Sequence, residues 1–235
     1  MTQKHTLVLI HSPLVGPLTW SRVAAELQNR GQDVLVPILE DSPQSTDPFW
    51  MQHAESVSRS LADFPRDTPL TLVAHSGAGP LLPLIRRSIA NPIHAYVFVD
   101  AGIPRAGASR LDMMKVEDPE WAAQFELELM NGARFPNWSF EDLRDILPDE
   151  SLRRQMVAEL QPRGLEFFSE PIPVFDGWPD APCIYIQFSQ AYDQPAALAL
   201  EKGWIVEQLN GGHFHMLVDP GTVTDRIIDS LDRIR

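Results

Sequence analysis

Cysteine occurs once in the 235 residues, at Cys183, so no internal disulfide can form. That usage fits a reducing compartment, and a cytoplasmic protein is expected. Cys183 stands in the apolar run Cys183-Ile184-Tyr185-Ile186 and reads as a buried structural thiol rather than a nucleophile. Long hydrophobic runs are also missing. Clean runs such as Leu7–Ile10 are far below the ~20 residues of a spanning helix, and no segment has a signal-peptide layout. Positive charge is scarce: 19 Lys and Arg against 32 Asp and Glu, a net charge of −13, with no basic cluster. Nucleic acid and anionic membranes both demand a positive footprint, so neither is an expected partner. Histidine and cysteine do not fall at metal-ligand spacing. His213 and His215 flank one residue but have no third ligand nearby, so no metal is expected. No internal repeat or low-complexity stretch is present.

What remains is an alternation of short apolar runs and helix-like stretches. Hydrophobic residues make up 44%, enough for a proper core in one α/β domain. Strands are expected at Thr6–Ile10, Asp33–Pro37, Leu70–Ala74, His94–Val99, Cys183–Phe188 and Trp204–Leu209. Helices are expected at Leu18–Arg30, closed by Gly31, at Pro48–Phe64, from about Pro80 to Ala90, at Pro195–Lys202 and at Pro220–Ile234. Pro83 in the third of these calls for a kink or a late start. Uninterrupted apolar strands separated by helices imply a mainly parallel sheet of about six strands, covered on both faces.

The rhythm breaks between Ile103 and Asp180. Short helices are expected there near Leu111–Lys115, Glu120–Met130, Phe140–Ile146 and Ser151–Leu160. A structureless loop of that length is implausible in a compact domain. The expectation is therefore a core made of 1–102 and 181–235, with a small helical cap inserted at 103–180. Trp121, Phe125, Phe135, Trp138 and Trp178 are mostly expected to pack the cap, with one or two facing a ligand.

Three segments carry chemistry. In Ala74-His75-Ser76-Gly77-Ala78-Gly79 a strand ends, a serine follows among tiny residues, and a helix comes next. That is the setting of a nucleophile elbow, where strand and helix backbones nearly touch. Asn210-Gly211-Gly212-His213-Phe214-His215 lies between the last strand and the last helix. From there His213 can reach over the sheet edge to take and return a serine proton, while His215 reads as structural. His11-Ser12-Pro13-Leu14, after the first strand, can aim donors at a developing oxyanion.

With these segments in this order, the chain resembles the α/β-hydrolase superfamily over nearly its whole length. Its small size is similar to the branch of plant salicylate esterases and hydroxynitrile lyases. The resemblance implies an α/β-hydrolase fold with Ser76 as nucleophile and His213 as base, and no cofactor. It argues against dehalogenase and epoxide hydrolase chemistry, which in this fold uses an aspartate at the elbow. Two departures stand out. The family usually has His-Gly-X in the oxyanion loop, with X donating its N–H; here Pro13 occupies that place and has none. Gly77 N–H then serves with either Leu14 N–H or the Ser12 side chain, or largely alone. A lost donor costs about 2.7–4 kcal/mol of transition-state stabilisation. The acid is the second departure. Alignment on Pro195 puts Ala191 at the family's usual place, leaving Asp193 two residues on and Asp100, at the end of the strand before the cap, as the candidates.

The expected function is a serine hydrolase cleaving a small, fairly apolar ester or lactone through an acyl-enzyme. Its partner is a small-molecule substrate. Lyase or cyclase chemistry, or a catalytically inactive ligand-binding protein, are the alternatives that Pro13 raises.

Overall fold

The computed structural model describes residues 5–42 and 44–234. The apolar runs form strands β1 (Thr6–Ile10), β2 (Asp33–Leu35), β3 (Leu70–His75), β4 (Ile93–Val99), β5 (Cys183–Gln187) and β6 (Ile205–Gln208). They make one sheet in the order β2-β1-β3-β4-β5-β6, with every pair parallel. The chain steps from β1 outward to β2, then returns to the far side of β1 for β3. That reversal opens a crevice at the strands' carboxyl ends, the usual ligand site of such sheets.

The helices are α1 (Leu18–Asn29), α2 (Phe49–Ser60), α3 (Leu82–Ser88), α4 (Arg110–Glu117), α5 (Pro119–Met130), α6 (Glu150–Ala158), α7 (Leu165–Phe168), α8 (Asp193–Glu201), α9 (His215–Val218) and α10 (Pro220–Asp232). Because strand side chains alternate, the sheet feeds two cores. Leu7, Leu9, Val97 and Ile184 pack with α1 and α10 through Trp20, Val23, Val223 and Ile227. Val8, Ile10, Tyr96 and Tyr185 pack with α2, α3 and α8 through Val57, Ile85 and Ala199. Each fully buried valine, leucine or isoleucine among them contributes about 1.5–3 kcal/mol of transfer free energy.

Several boundaries differ from expectation for local reasons. The run expected from Pro80 begins as a 3-10 turn, Ser76–Leu81, and becomes α-helical only at Leu82. Pro83 then lies in the first turn of α3, where its missing N–H costs no helical bond. The helix expected at Phe140–Ile146 is a series of turns instead. Ser139 and Asp142 cap each other reciprocally, but Arg144 and Ile146 donate only three residues back. Pro148 then disfavours helical geometry at Leu147. α7 and α9, four residues each, are too short to show a periodic pattern.

Between β4 and β5, helices α4, α5 and α7 build a third apolar cluster from Leu111, Phe125, Leu129, Phe167 and Phe168. Glu170 ties this segment to the core by accepting the Phe49 and Trp50 N–H groups at 2.6 and 3.2 Å, at the start of α2. Arg163 grips Asp41 with both ends of its guanidinium, at 2.8 and 2.6 Å. Among the described residues no helix is long and apolar enough to cross a membrane.

Candidate active site

Ser76 follows β3 directly and adopts φ +56°, in the left-handed region that a residue with a side chain occupies only under constraint. The constraint is packing. A Cβ on Gly79 would stand 2.1 Å from the Gly102 carbonyl oxygen, so only glycine lets the turn press against the exit of β4. Gly102 N–H completes the contact by donating to the Ser76 carbonyl at 3.2 Å. Ala74 and Ala78, two residues either side of the serine, are fully buried. The small residues that marked this segment in the sequence are thus the ones that hold Ser76 above the sheet edge.

His213 bridges two partners across the crevice. Its Nε2 lies 3.0 Å from Ser76 Oγ and its Nδ1 lies 2.8 Å from Asp100 Oδ2. Asp100 also has a positive φ, +43°, just beyond β4. Tyr185 fixes that turn: its hydroxyl donates to the Ala101 carbonyl at 2.7 Å and accepts the Ala101 N–H at 3.2 Å. The Asp100 carboxylate is fully buried, and it takes further hydrogen bonds from Phe188 N–H, Ser189 N–H and Ser189 O–H at 2.8, 3.0 and 2.7 Å. These donors replace the water lost on burial. A carboxylate only accepts, so the proton of a neutral imidazole sits on Nδ1, and Nε2 is left to accept from the Ser76 hydroxyl.

Asp193 does not join this group. It lies in the first turn of α8 and accepts from Gln187 Nε2 at 2.5 Å, while the Nδ1 side of His213 is filled by Asp100. Of the two aspartates the sequence offered, the fold brings Asp100, and not Asp193, within hydrogen-bond distance of His213. His215 opens α9 and packs its ring edge-on against Phe188.

The loop after β1 reaches the same edge. Pro13 offers no N–H, and Leu14 N–H is turned to Ser12 Oγ at 3.3 Å. Leu14 N–H is thus already engaged, whereas the Ser12 hydroxyl, which accepts that bond, keeps its own proton to give. A Cβ on Gly77 would lie 3.0 Å from Ser12 Oγ, which places the hydroxyl beside the first residue of the helical turn. Buried His11 holds this loop, donating from Nδ1 to the Ser12 carbonyl at 2.9 Å and accepting the Leu39 N–H at 3.2 Å. Burial drives its pKa down to about 4, which keeps it neutral for both bonds.

Two further residues escaped the sequence reading. His75, fully buried beside the nucleophile, donates from Nε2 to the His213 carbonyl at 3.0 Å. Burial holds its pKa well below the ordinary histidine value. Tyr192 lies with its ring parallel to the His213 imidazole, centroids 5.1 Å apart, and its hydroxyl 3.2 Å from Ser76 Oγ. His75 belongs to the elbow motif itself, but nothing local marks Tyr192, whose position depends on how the chain turns after β5.

A cavity of about 340 Å³ opens over Ser76. Trp121, Phe135, Trp138, Phe167 and Phe168 line it from the segment between β4 and β5, and Leu14, Val15 and Phe214 from the core. Phe125 instead backs the aromatic cluster, and Trp178 packs on Tyr96 and Phe98 away from the cavity. The size and apolar walls suit a small organic molecule. Chemically, the arrangement can deprotonate Ser76 as it attacks and return the proton to a departing group. Among the described residues no three His, Cys, Asp or Glu side chains gather as a metal site.

The profile of the Alpha/beta hydrolase family matches residues 7–226. No curated protein matches the chain significantly by sequence. Among solved structures, an extracellular alpha/beta-hydrolase from Paenibacillus, described as sharing structural and functional homology with tobacco salicylic acid binding protein 2, superposes with a TM-score of 0.73 at 18% identity, over 96% of this chain and 98% of that one. Tomato methylketone synthase I complexed with 2-tridecanone superposes with a TM-score of 0.74 at 14% identity, over 99% of each chain. Polyneuridine aldehyde esterase superposes with a TM-score of 0.71 at 16% identity, over 97% of this chain and 99% of that one. At such identities the likeness is one of fold.

Proposed function

The chain belongs to the α/β-hydrolase family, and on that premise we propose that it is a serine hydrolase cleaving a small, fairly apolar ester or lactone. The observation that carries this reading is the position of His213, 3.0 Å from Ser76 Oγ and 2.8 Å from Asp100 Oδ2. Ser76 attacks the carbonyl carbon while His213 takes its proton; Asp100 holds the imidazole in the tautomer that can do so. Gly77 N–H and the Ser12 hydroxyl stabilise the oxyanion. His213 returns the proton to the leaving oxygen, and water then releases the acyl group by the same steps. The helices within 103–180 act as a cap that supplies the apolar wall for the substrate. No cofactor is needed. The esterase among the similar structures supports this reaction class. The lone thiol Cys183 is buried and pushed up to about 12, an inert group that fits the reducing cytoplasm.

The test is turnover of short-chain esters and lactones by the wild type, Ser76→Ala and His213→Ala. Loss of turnover in both variants is expected, and unchanged turnover in Ser76→Ala overturns the mechanism. A second reading, lyase or cyclase chemistry, draws on one observation: two side-chain hydroxyls, of Ser12 beside Gly77 and of Tyr192 beside Ser76 Oγ, stand at a site whose loop carries Pro13 in place of a backbone donor. It requires that simple esters be hardly touched by wild type.

A further inference from the structure

We infer that the Tyr192 hydroxyl is a catalytic hydrogen-bond donor to the leaving-group oxygen, and that it equips the enzyme for unactivated alkyl esters. This rests on the hydrolase reading of the same site.

The hydrogen-bond inventory orients the hydroxyl. Asp100 fixes the His213 proton on Nδ1, so the Ser76 O–H points to Nε2. Ser76 Oγ then has only lone pairs for Tyr192, 3.2 Å away, and the tyrosine is the donor. In the resting state that donation opposes attack, because it draws on the nucleophile's lone pairs. The arrangement makes sense if the hydroxyl serves a later species.

Its position says which. Tyr192 stands face to face with the imidazole, 5.1 Å between centroids and 7° from parallel. The oxyanion donors of the proposed mechanism, Gly77 in the turn after β3 and Ser12 in the loop after β1, lie side by side. The leaving oxygen must approach His213 Nε2 to collect its proton, and the hydroxyl of Tyr192 flanks that approach. Ser76 Oγ forms the new bond to the acyl carbon, its proton passes to Nε2, and the carbonyl electron pair moves onto the oxyanion. As an ester oxygen, Oγ accepts more weakly and releases Tyr192. When the tetrahedral species collapses, the bond from the acyl carbon to the leaving oxygen breaks and its electron pair stays on that oxygen. His213 delivers the proton there. Tyr192 donates a hydrogen bond to the same oxygen while its charge grows, and keeps its own proton. Burial raises the tyrosine pKa, which suits a group that donates without ionising.

The experiment pairs ethyl butyrate with 4-nitrophenyl butyrate, whose leaving group needs no such help, and reads kcat/KM for the wild type and Tyr192→Phe. The variant keeps the ring and its stacking. The ethyl ester should lose about 10–100-fold, the scale of one hydrogen bond to a charged oxygen, and the aryl ester less than about threefold. Equal losses on both esters, or none on either, overturn the inference; so does a wild type that cleaves only the aryl ester. Incorporation of 3,5-difluorotyrosine at position 192 supplies a second reading. It keeps shape and hydroxyl but makes the hydroxyl more acidic, and should raise the ethyl-to-aryl ratio over that of Tyr192→Phe, whereas a purely structural tyrosine leaves the ratio unmoved. Failure of the wild type on both esters, with no fluorophosphonate adduct on Ser76, removes the hydrolase reading and this inference with it. Normal wild-type turnover with a flat Tyr192→Phe response removes this inference alone.

Discussion

His213 Nδ1 stands 2.8 Å from an Asp100 carboxylate that is already held by Phe188 and Ser189. Four donors converge on a buried anion, so the acid cannot move and the imidazole inherits its orientation. Asp100→Asn keeps the shape but can present an N–H to Nδ1, favouring the tautomer whose Nε2 cannot accept from Ser76. We expect kcat to fall by about 10⁴-fold, with KM little changed. Asp193→Asn, at a carboxylate that accepts from Gln187 rather than from His213, should stay within about threefold of wild type. Comparable losses in both variants contradict the assignment.

Ser12 offers a hydroxyl in the loop where Pro13 has no N–H. Ser12→Ala should lower kcat by about 10²–10³-fold, the loss for one oxyanion donor, while fluorescence-detected binding of a product acid is retained. An unchanged kcat means that the Gly77 N–H suffices.

Acid should unfold the protein through its buried histidines. His11 has a pKa near 4 in the folded chain against 6.5 ordinarily, because burial disfavours the charged form. Above pH 6.5 neither state carries the proton. Between 6.5 and about 4 the unfolded chain binds it and the folded chain does not, so stability falls with pH. That group alone costs about 3 kcal/mol once the window is crossed. His75 and His53, both lowered chiefly by burial, act in the same direction. Asp41 adds a lower window: burial raises it, but hydrogen bonds from His53 and Arg163 outweigh that and hold it at about 2, so its contribution is lost as pH falls below about 4. Urea midpoints at pH 7.5, 6 and 5 should decline steadily. A flat series says these histidines protonate without penalty.

Glu170 is the counter-charge of Arg110, 3.6 Å away, with both side chains at least nine-tenths buried. Arg110 also lies over the Phe167 ring at 3.9 Å, and its Nε and Nη2 find no hydrogen-bond partner among the described residues. Glu170→Ala leaves that guanidinium unpaired in an apolar setting and frees two N–H groups of α2. Stability should drop by about 3–5 kcal/mol in urea titration. Adding Arg110→Met to that variant should recover part of the loss; further destabilisation contradicts the pairing.

How much of this was legible depended on whether the signal was local. β1, β3, β4 and β5 announced themselves because each is an apolar run covered on both faces. Ser76 was readable because the packing at Gly79 excludes any Cβ, and that exclusion is written in the sequence as small residues. The choice between Asp100 and Asp193 was not readable: it turns on Phe188 and Ser189 folding back over β4, a contact of residues 88 and 89 positions apart. The turns at 140–147 deceived the periodic reading because Leu143 and Leu147 are buried at helical spacing without a helix. Tyr192 left no trace, since a tyrosine near a helix start is ordinary until the fold stacks it on His213.

The most direct test of the account is intact mass after incubation with a fluorophosphonate probe, which needs no knowledge of the substrate. We expect a single adduct on the wild type, mapped to Ser76 by peptide digestion, absent from Ser76→Ala and much reduced in His213→Ala. An adduct that persists in Ser76→Ala, or that maps to Ser12 or Ser189, contradicts the claim that Ser76 is the activated nucleophile.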